Sequence, residues 1–150
     1  MSQLPKIKFV KLHPDAKMPT TAYDKDVGYD VYAVEDVTIP YGMTKEVNIG
    51  LAIECPKDYY FTINTRSVHG KQGKVVHLGI VDPGYRGRIT IHFRNVSHNL
   101  DNNKGVPFYI KKGDKVAQLL FHKAVYVEFE EVDKLSKTER GEKRHGSSGN

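Results

Sequence analysis

Gly79 to Ile89 reads GIVDPGYRGRI, and the chain runs on through Thr90, Ile91, His92 and Phe93. Three glycines in eleven positions mark backbone that turns tightly or approaches something closely. Pro83 and Gly84 punctuate the stretch, and beyond it Ile89, Ile91 and Phe93 recur with a period of two, the signature of a half-buried strand. The segment is therefore a hairpin between two strands. Asp82 and Tyr85 fall inside its turn, where a scaffold commonly holds chemistry. Taken alone, the same residues also describe an ordinary Pro-Gly hairpin with solvated charges.

The period of two extends outward from this hairpin. Val47, Ile49, Leu51 and Ile53 alternate, and so do Val125, Val127 and Phe129, which read as further strands. IPYG (39–42), ECPKD (54–58) and KKGD (111–114) read as turns between strands. No window sustains a 3.6-residue period; a single helical turn after Arg66 is allowed, with Gly70 and Gly73 limiting it. The expected fold is all-β, many short strands in a sandwich, jelly roll or barrel. Residues 1–134 form one β domain, without internal repeats. From 135 onward the apolar residues give out, and 135–150 reads as a flexible C-terminal arm.

At 150 residues with 39% hydrophobic and 27% charged content, the chain can bury a core and stay ordered. No apolar run is long enough for a bilayer, and the opening MSQLPKIKFVKL lacks the apolar centre of a signal peptide. Cys55 is the only cysteine, which rules out an intrachain disulfide or a CxxC pair and makes an intracellular setting the default. The seven histidines include no HExxH or other zinc spacing. The net charge of +5 favours an anionic partner such as a nucleotide, phosphate or nucleic acid. Its placement is more telling: Arg66, Lys71, Lys74, Arg86 and Arg88 flank the glycine-rich centre, and Arg140, Lys143 and Arg144 crowd the arm.

Four more segments carry chemistry. VGYDVYA (27–33) sets Asp30 among apolar strand neighbours, where a carboxylate needs a cation or a metal. TRSVHGKQG (65–73) offers Arg66 and Ser67 at a glycine-containing loop, suited to phosphate oxygens. KKGDKVAQLLF (111–121) puts Gln118 in an apolar strand, where it needs a partner. RGEKRHGSSG (140–149) combines arginine, imidazole and hydroxyls with glycines that can wrap a polyphosphate. Each taken alone reads more readily as structure than as function.

In order and in spacing, the five segments resemble the five motifs of the trimeric dUTPase family, over nearly the whole chain from about Leu12 to Gly149. The resemblance implies a dUTPase-like jelly roll that hydrolyses dUTP to dUMP and pyrophosphate, lowering dUTP and supplying dUMP for thymidylate synthesis. Asp82 matches the aspartate that activates the water attacking the α-phosphorus. Tyr85 matches the ring beneath the deoxyribose, and backbone at Gly79, Ile80 and Val81 would pair with uracil. Arg66, Ser67, the backbone at Val68, and Gln118 match the phosphate-holding set. Asp30 corresponds to an acid near Mg²⁺, acting through water. Arg140 would clamp the γ-phosphate, while His145, Gly146, Ser147 and Ser148 close the arm over the substrate. His145 stands where the family usually has a stacking phenylalanine, and Lys143 and Arg144 replace two small residues. The resemblance further implies a homotrimer with shared sites, with no membrane and no nucleic acid as partner.

Two alternatives stay open from sequence. VDPGYRGRITI also resembles the dCTP deaminase branch of the same superfamily, although that branch needs a glutamate where this chain has His92. The other is a non-catalytic basic β-domain that binds nucleic acid or a protein, given nine tyrosines able to serve as stacking platforms.

Overall fold

A computed structural model describes residues 3–144. Its elements in chain order are β1 (Lys8–Lys11), β2 (Gly28–Tyr32), β3 (Val37–Ile39), β4 (Thr44–Glu54), β5 (Tyr59–Asn64), α1 (Ser67–Gly70), β6 (Lys74–Val76), β7 (Gly79–Val81), β8 (Arg88–Asn95), β9 (Phe108–Ile110) and β10 (Lys115–Lys123). One sheet has the order β1-β4-β8-β6, a second β2-β10-β5-β7, and β3 pairs with β9. All these pairings are antiparallel. The all-β expectation holds, and the chain is dominated by strands paired across long sequence distances.

The alternating residues do what their period requires. Val47, Ile49, Leu51 and Ile53 of β4 are buried, as are Ile89, Ile91 and Phe93 of β8, while Arg88, His92 and Arg94 point outward. Phe61, Leu119, Val116 and Val31 of the second sheet meet them in one core. Each fully buried Ile, Leu or Phe contributes roughly 1.5–3 kcal/mol of transfer free energy. The three anticipated turns fall between strands, and α1 is the single helical turn expected after Arg66.

One strand expectation fails. β10 stops at Lys123, and Val125, Val127 and Phe129 are exposed, Phe129 at 95%. Their alternation is strand-like, but β10 already has β2 and β5 on its two sides, and among the described residues no strand lies beside the segment that follows. Ala124 N bonds Asp58 O at 2.7 Å and Tyr126 Oη donates to Lys57 O at 2.7 Å. Beyond those ties the apolar row has no partner among the described residues. Among the described residues no helix is long and apolar enough to cross a membrane.

Candidate active site

The hairpin of β7 and β8 straddles the two large sheets. β7 joins the edge of the second sheet, with Gly79 opposite Ile63, Ile80 opposite Thr62 and Val81 opposite Phe61. β8 belongs to the first sheet. The turn between them is closed by Tyr85 N donating to Asp82 O at 3.1 Å. Tyr85 folds back so that its hydroxyl donates to Arg88 O at 3.0 Å. A Cβ at position 87 would run into the Tyr85 hydroxyl, so Gly87 leaves room for that fold.

Two cavities flank this turn. One, of about 370 Å³, is lined by Gly79, Ile80, Val81, Tyr85, His77 and His92 among others, and combines backbone with an aromatic ring. It lies in the size range of small-ligand pockets. The other, of about 340 Å³, contains Asp82 with Tyr60, Ile80, Lys123 and Tyr126. Asp82 is exposed, and among the described residues its carboxylate has no hydrogen bond or ion pair. An uncommitted carboxylate on a braced turn can accept a proton from water.

A second cluster forms where β2, β10 and β5 lie side by side. Asp30, Gln118 and Asn64 are opposite one another in register. Asp30 is only 5% exposed. Arg66 Nε lies 3.3 Å from its Oδ1, Lys115 Nζ 3.2 Å from its Oδ2, and Gln118 Nε2 donates to Oδ1 at 3.5 Å. Two cations thus offset the burial of one carboxylate, leaving a surplus of positive charge beside it. Arg66 Nε faces Asp30 without hydrogen-bond alignment, and it is buried. Ser67 and Val68 open α1 immediately after Arg66.

Beneath this cluster is a cavity of about 330 Å³ lined by Arg66, His69, Gly113, Asp114 and Lys115, among others. The His69 ring is wedged against Phe93 and Phe108, at centroid distances of 5.6 and 5.5 Å, and its Nδ1 is buried without a hydrogen-bond partner. Burial first, then the charges of Arg66 and Lys74, push its pKa below the usual histidine value, with Asp114 opposing.

The sequence-predicted residues therefore assemble as two groups. Asp30, Arg66, Ser67, Val68 and Gln118 are together at one end of the second sheet; Gly79, Ile80, Val81, Asp82 and Tyr85 lie along its β7 edge. From the strand rise and spacing, Asp82 is roughly 15–20 Å from Gln118 and Asp30. Within one chain they cannot touch the same phosphate. Arg140 is in neither group: its Nε donates to Lys143 O at 3.4 Å in a turn of the arm. His145, Gly146, Ser147 and Ser148 lie outside the described residues.

Among the described residues no three His, Cys, Asp or Glu side chains are placed to hold a metal. Lys115 was missed in sequence. Asp30 called for a cation, but only the β2–β10 register identifies which lysine answers. Gly28 was missed as well; a Cβ there would come within 3.1 Å of the Gln118 carboxamide.

With this geometry in view, the dUTPase family model matches residues 14–149. The chain is 35% identical to the deoxyuridine 5'-triphosphate nucleotidohydrolase of Rabbitpox virus (strain Utrecht), over 95% of this chain and 92% of that one. The Monkeypox virus protein of the same name is 35% identical, covering 95% of this chain and 90% of its own. Among solved structures, a point mutant of the Staphylococcus bacteriophage 80alpha dUTPase with dUpNHpp superposes with a TM-score of 0.85 at 27% identity, covering 97% and 99% of the two chains. A dUTPase mutant from phage phi11 of S. aureus, whose structure reveals details for the coordination of a structural Mg(II) ion, matches in fold with a TM-score of 0.77 at 24% identity, over 88% of this chain and 99% of that one.

Proposed function

This chain belongs to the dUTPase family, and from that premise we infer that it hydrolyses dUTP to dUMP and pyrophosphate, with Asp82 activating the attacking water. The observation that carries the role of Asp82 is its free carboxylate on a turn braced between two sheets. Asp82 accepts a proton as the water oxygen bonds to the α-phosphorus, and the bond to the oxygen bridging the α- and β-phosphorus breaks. Pyrophosphate leaves with that electron pair.

Uracil enters the cavity beside β7, where main-chain groups of Gly79, Ile80 and Val81 pair with its edge. A cytosine would set donor against donor and leave buried groups unpaired. The Tyr85 ring lies under the sugar and excludes a 2′-hydroxyl. Arg66, Ser67, backbone at Val68, and Gln118 hold the phosphates, and Lys115 adds charge beside them. Arg140 clamps the γ-phosphate, with His145, Gly146, Ser147 and Ser148 closing behind it.

Magnesium suits this chain as a companion of the triphosphate rather than as a resident ion. Both Asp30 oxygens already face cations, so Asp30 would reach the metal only through water. When bound, the ion would neutralise phosphate charge.

The distance between the two groups within one chain supports a site completed by a second copy, as a homotrimer would provide. The exposed row Val125, Val127 and Phe129, without a partner among the described residues, supports the same assembly, because it leaves an apolar face for a neighbour to cover. The deaminase alternative lacks its acid, since His92 occupies the position required.

Pyrophosphate release from dUTP, dCTP, dTTP and UTP, with Asp82→Asn as control, tests the reading. Turnover specific to dUTP and lost in the variant is expected. Ammonia release from dCTP, or full activity in Asp82→Asn, overturns it.

A further inference from the structure

Arg86 stands where β8 gives way to the turn bearing Asp82 and Tyr85, and its contacts run to both sides of that boundary. Its Nη1 donates to Pro83 O at 2.7 Å and to Tyr85 O at 3.1 Å. Its Nε lies 3.0 Å from Glu54 Oε1. The register explains the meeting: Ala52 pairs with Arg88, so Glu54 at the end of β4 falls opposite Arg86. Glu54 also pairs with Lys8 of β1, whose Nζ is 3.3 Å from the second carboxylate oxygen, Oε2. A row of alternating charge thus crosses from the edge strand of the first sheet to the turn. Lys8 and Arg86 together hold the Glu54 carboxyl below its ordinary range.

Half-exposed pairs such as Glu54 with Arg86, at 38% and 53% side-chain exposure, add little to global stability. What this one supplies is position. The turn is tied to the second sheet by the three residues of β7 and runs directly into β8 of the first, and Arg86 adds a cross-link from the turn to Glu54 on β4. One guanidinium nitrogen, Nη1, donates to two turn carbonyls, while Nε faces Glu54. A lysine ammonium is a single point charge on a flexible stem and cannot serve both sides in this way.

We propose that Arg86 and Glu54 are positioning residues for dUTP hydrolysis, Glu54 fixing the guanidinium that locks the turn and so aims Asp82 and Tyr85 at the nucleotide. This rests on the catalytic reading of Asp82. Neither side chain touches the reacting atoms; both act through the turn. Freed from Arg86, the turn keeps its Asp82–Tyr85 closure but loses its link to β4, and Asp82 drifts relative to the α-phosphorus.

Steady-state kinetics with dUTP on Glu54→Gln, Arg86→Lys and Asp82→Asn, alongside thermal melting, tests this. Both positioning variants should lower kcat about ten-fold with KM within about two-fold, since a 1 Å misplacement can cost up to about 100-fold. Their melting midpoints should stay within roughly 3 °C of the parent, as befits an exposed pair. The proposal is overturned if both variants keep the parent kcat while Asp82→Asn is inactive, or if kcat falls only in step with the melting midpoint. Full activity in Asp82→Asn would instead remove the catalytic premise and the positioning role with it.

Discussion

Gly28 lies directly against the Gln118 side chain, so close that a Cβ on Gly28 would meet the carboxamide at 3.1 to 3.2 Å. Gly28 is opposite Leu120 and so lies diagonally from Gln118 across β2 and β10, and the missing side chain of one is the space used by the other. Gly28→Ala should push Gln118 off its line to Asp30 by a few tenths of an ångström. Because the phosphate end depends on that alignment, kcat/KM for dUTP should fall several-fold, by an order-of-magnitude argument from positioning. Folding should be little affected; circular dichroism and steady-state kinetics on the same preparation separate the two.

Asp30 is a buried carboxylate between Arg66 and Lys115. Asp30→Asn keeps the shape and removes the charge, leaving two cations without their counter-ion. Breaking a fully buried pair costs about 3–5 kcal/mol, and because water reaches Lys115 we expect about 2 kcal/mol here. A lower urea midpoint with an unchanged slope is the signature. An unchanged midpoint would mean that Lys115 and Arg66 find water instead.

His69 titrates below its usual value of 6.5 because burial and the charges of Arg66 and Lys74 disfavour its protonated form. The unfolded chain therefore binds this proton more readily than the folded one. The stability that follows is complete above about pH 6.5 and is lost as pH falls below it. His69→Leu, which still packs on Phe93 and Phe108, should flatten that part of the melting-temperature profile between about pH 5 and 7. An identical slope in parent and variant would assign the acid loss elsewhere.

Phe129 is 95% exposed in a row with Val125 and Val127. Phe129→Asp should weaken assembly by placing a charge in the proposed contact. Light scattering should then move from about three times the 17.0 kDa chain mass toward the mass of one chain. A parent protein that already runs as a single chain would refute shared sites altogether.

The fold was legible because burial imposes its period directly. Ile89, Ile91 and Phe93 alternate as the core requires, and so do the β4 residues. Val125, Val127 and Phe129 carry the same pattern but form no strand, because alternation records a face to be covered and not which chain covers it. The site was legible as residue types and not as pairings. Asp30 in its apolar strand calls for positive charge, and Arg66 at a glycine-containing loop suits phosphate oxygens. Lys115 and the link from Arg86 to Glu54 exist only through strand register, which joins positions far apart in sequence. The separation of Asp82 from Arg66 is likewise a property of sheet order, invisible to a reading that runs along the chain.

That separation has a consequence in genetics. If each working site takes Asp82 from one copy and Arg66 from another, two defective alleles can rescue each other. Chains carrying Asp82→Asn and chains carrying Arg66→Gln, inactive apart, should regain activity when refolded together, with about a quarter of the sites receiving both intact halves. The converse also holds: a defective allele expressed beside a normal one spoils sites in which the normal chain takes part, so its dominance is set by how copies mix rather than by how much of each is made.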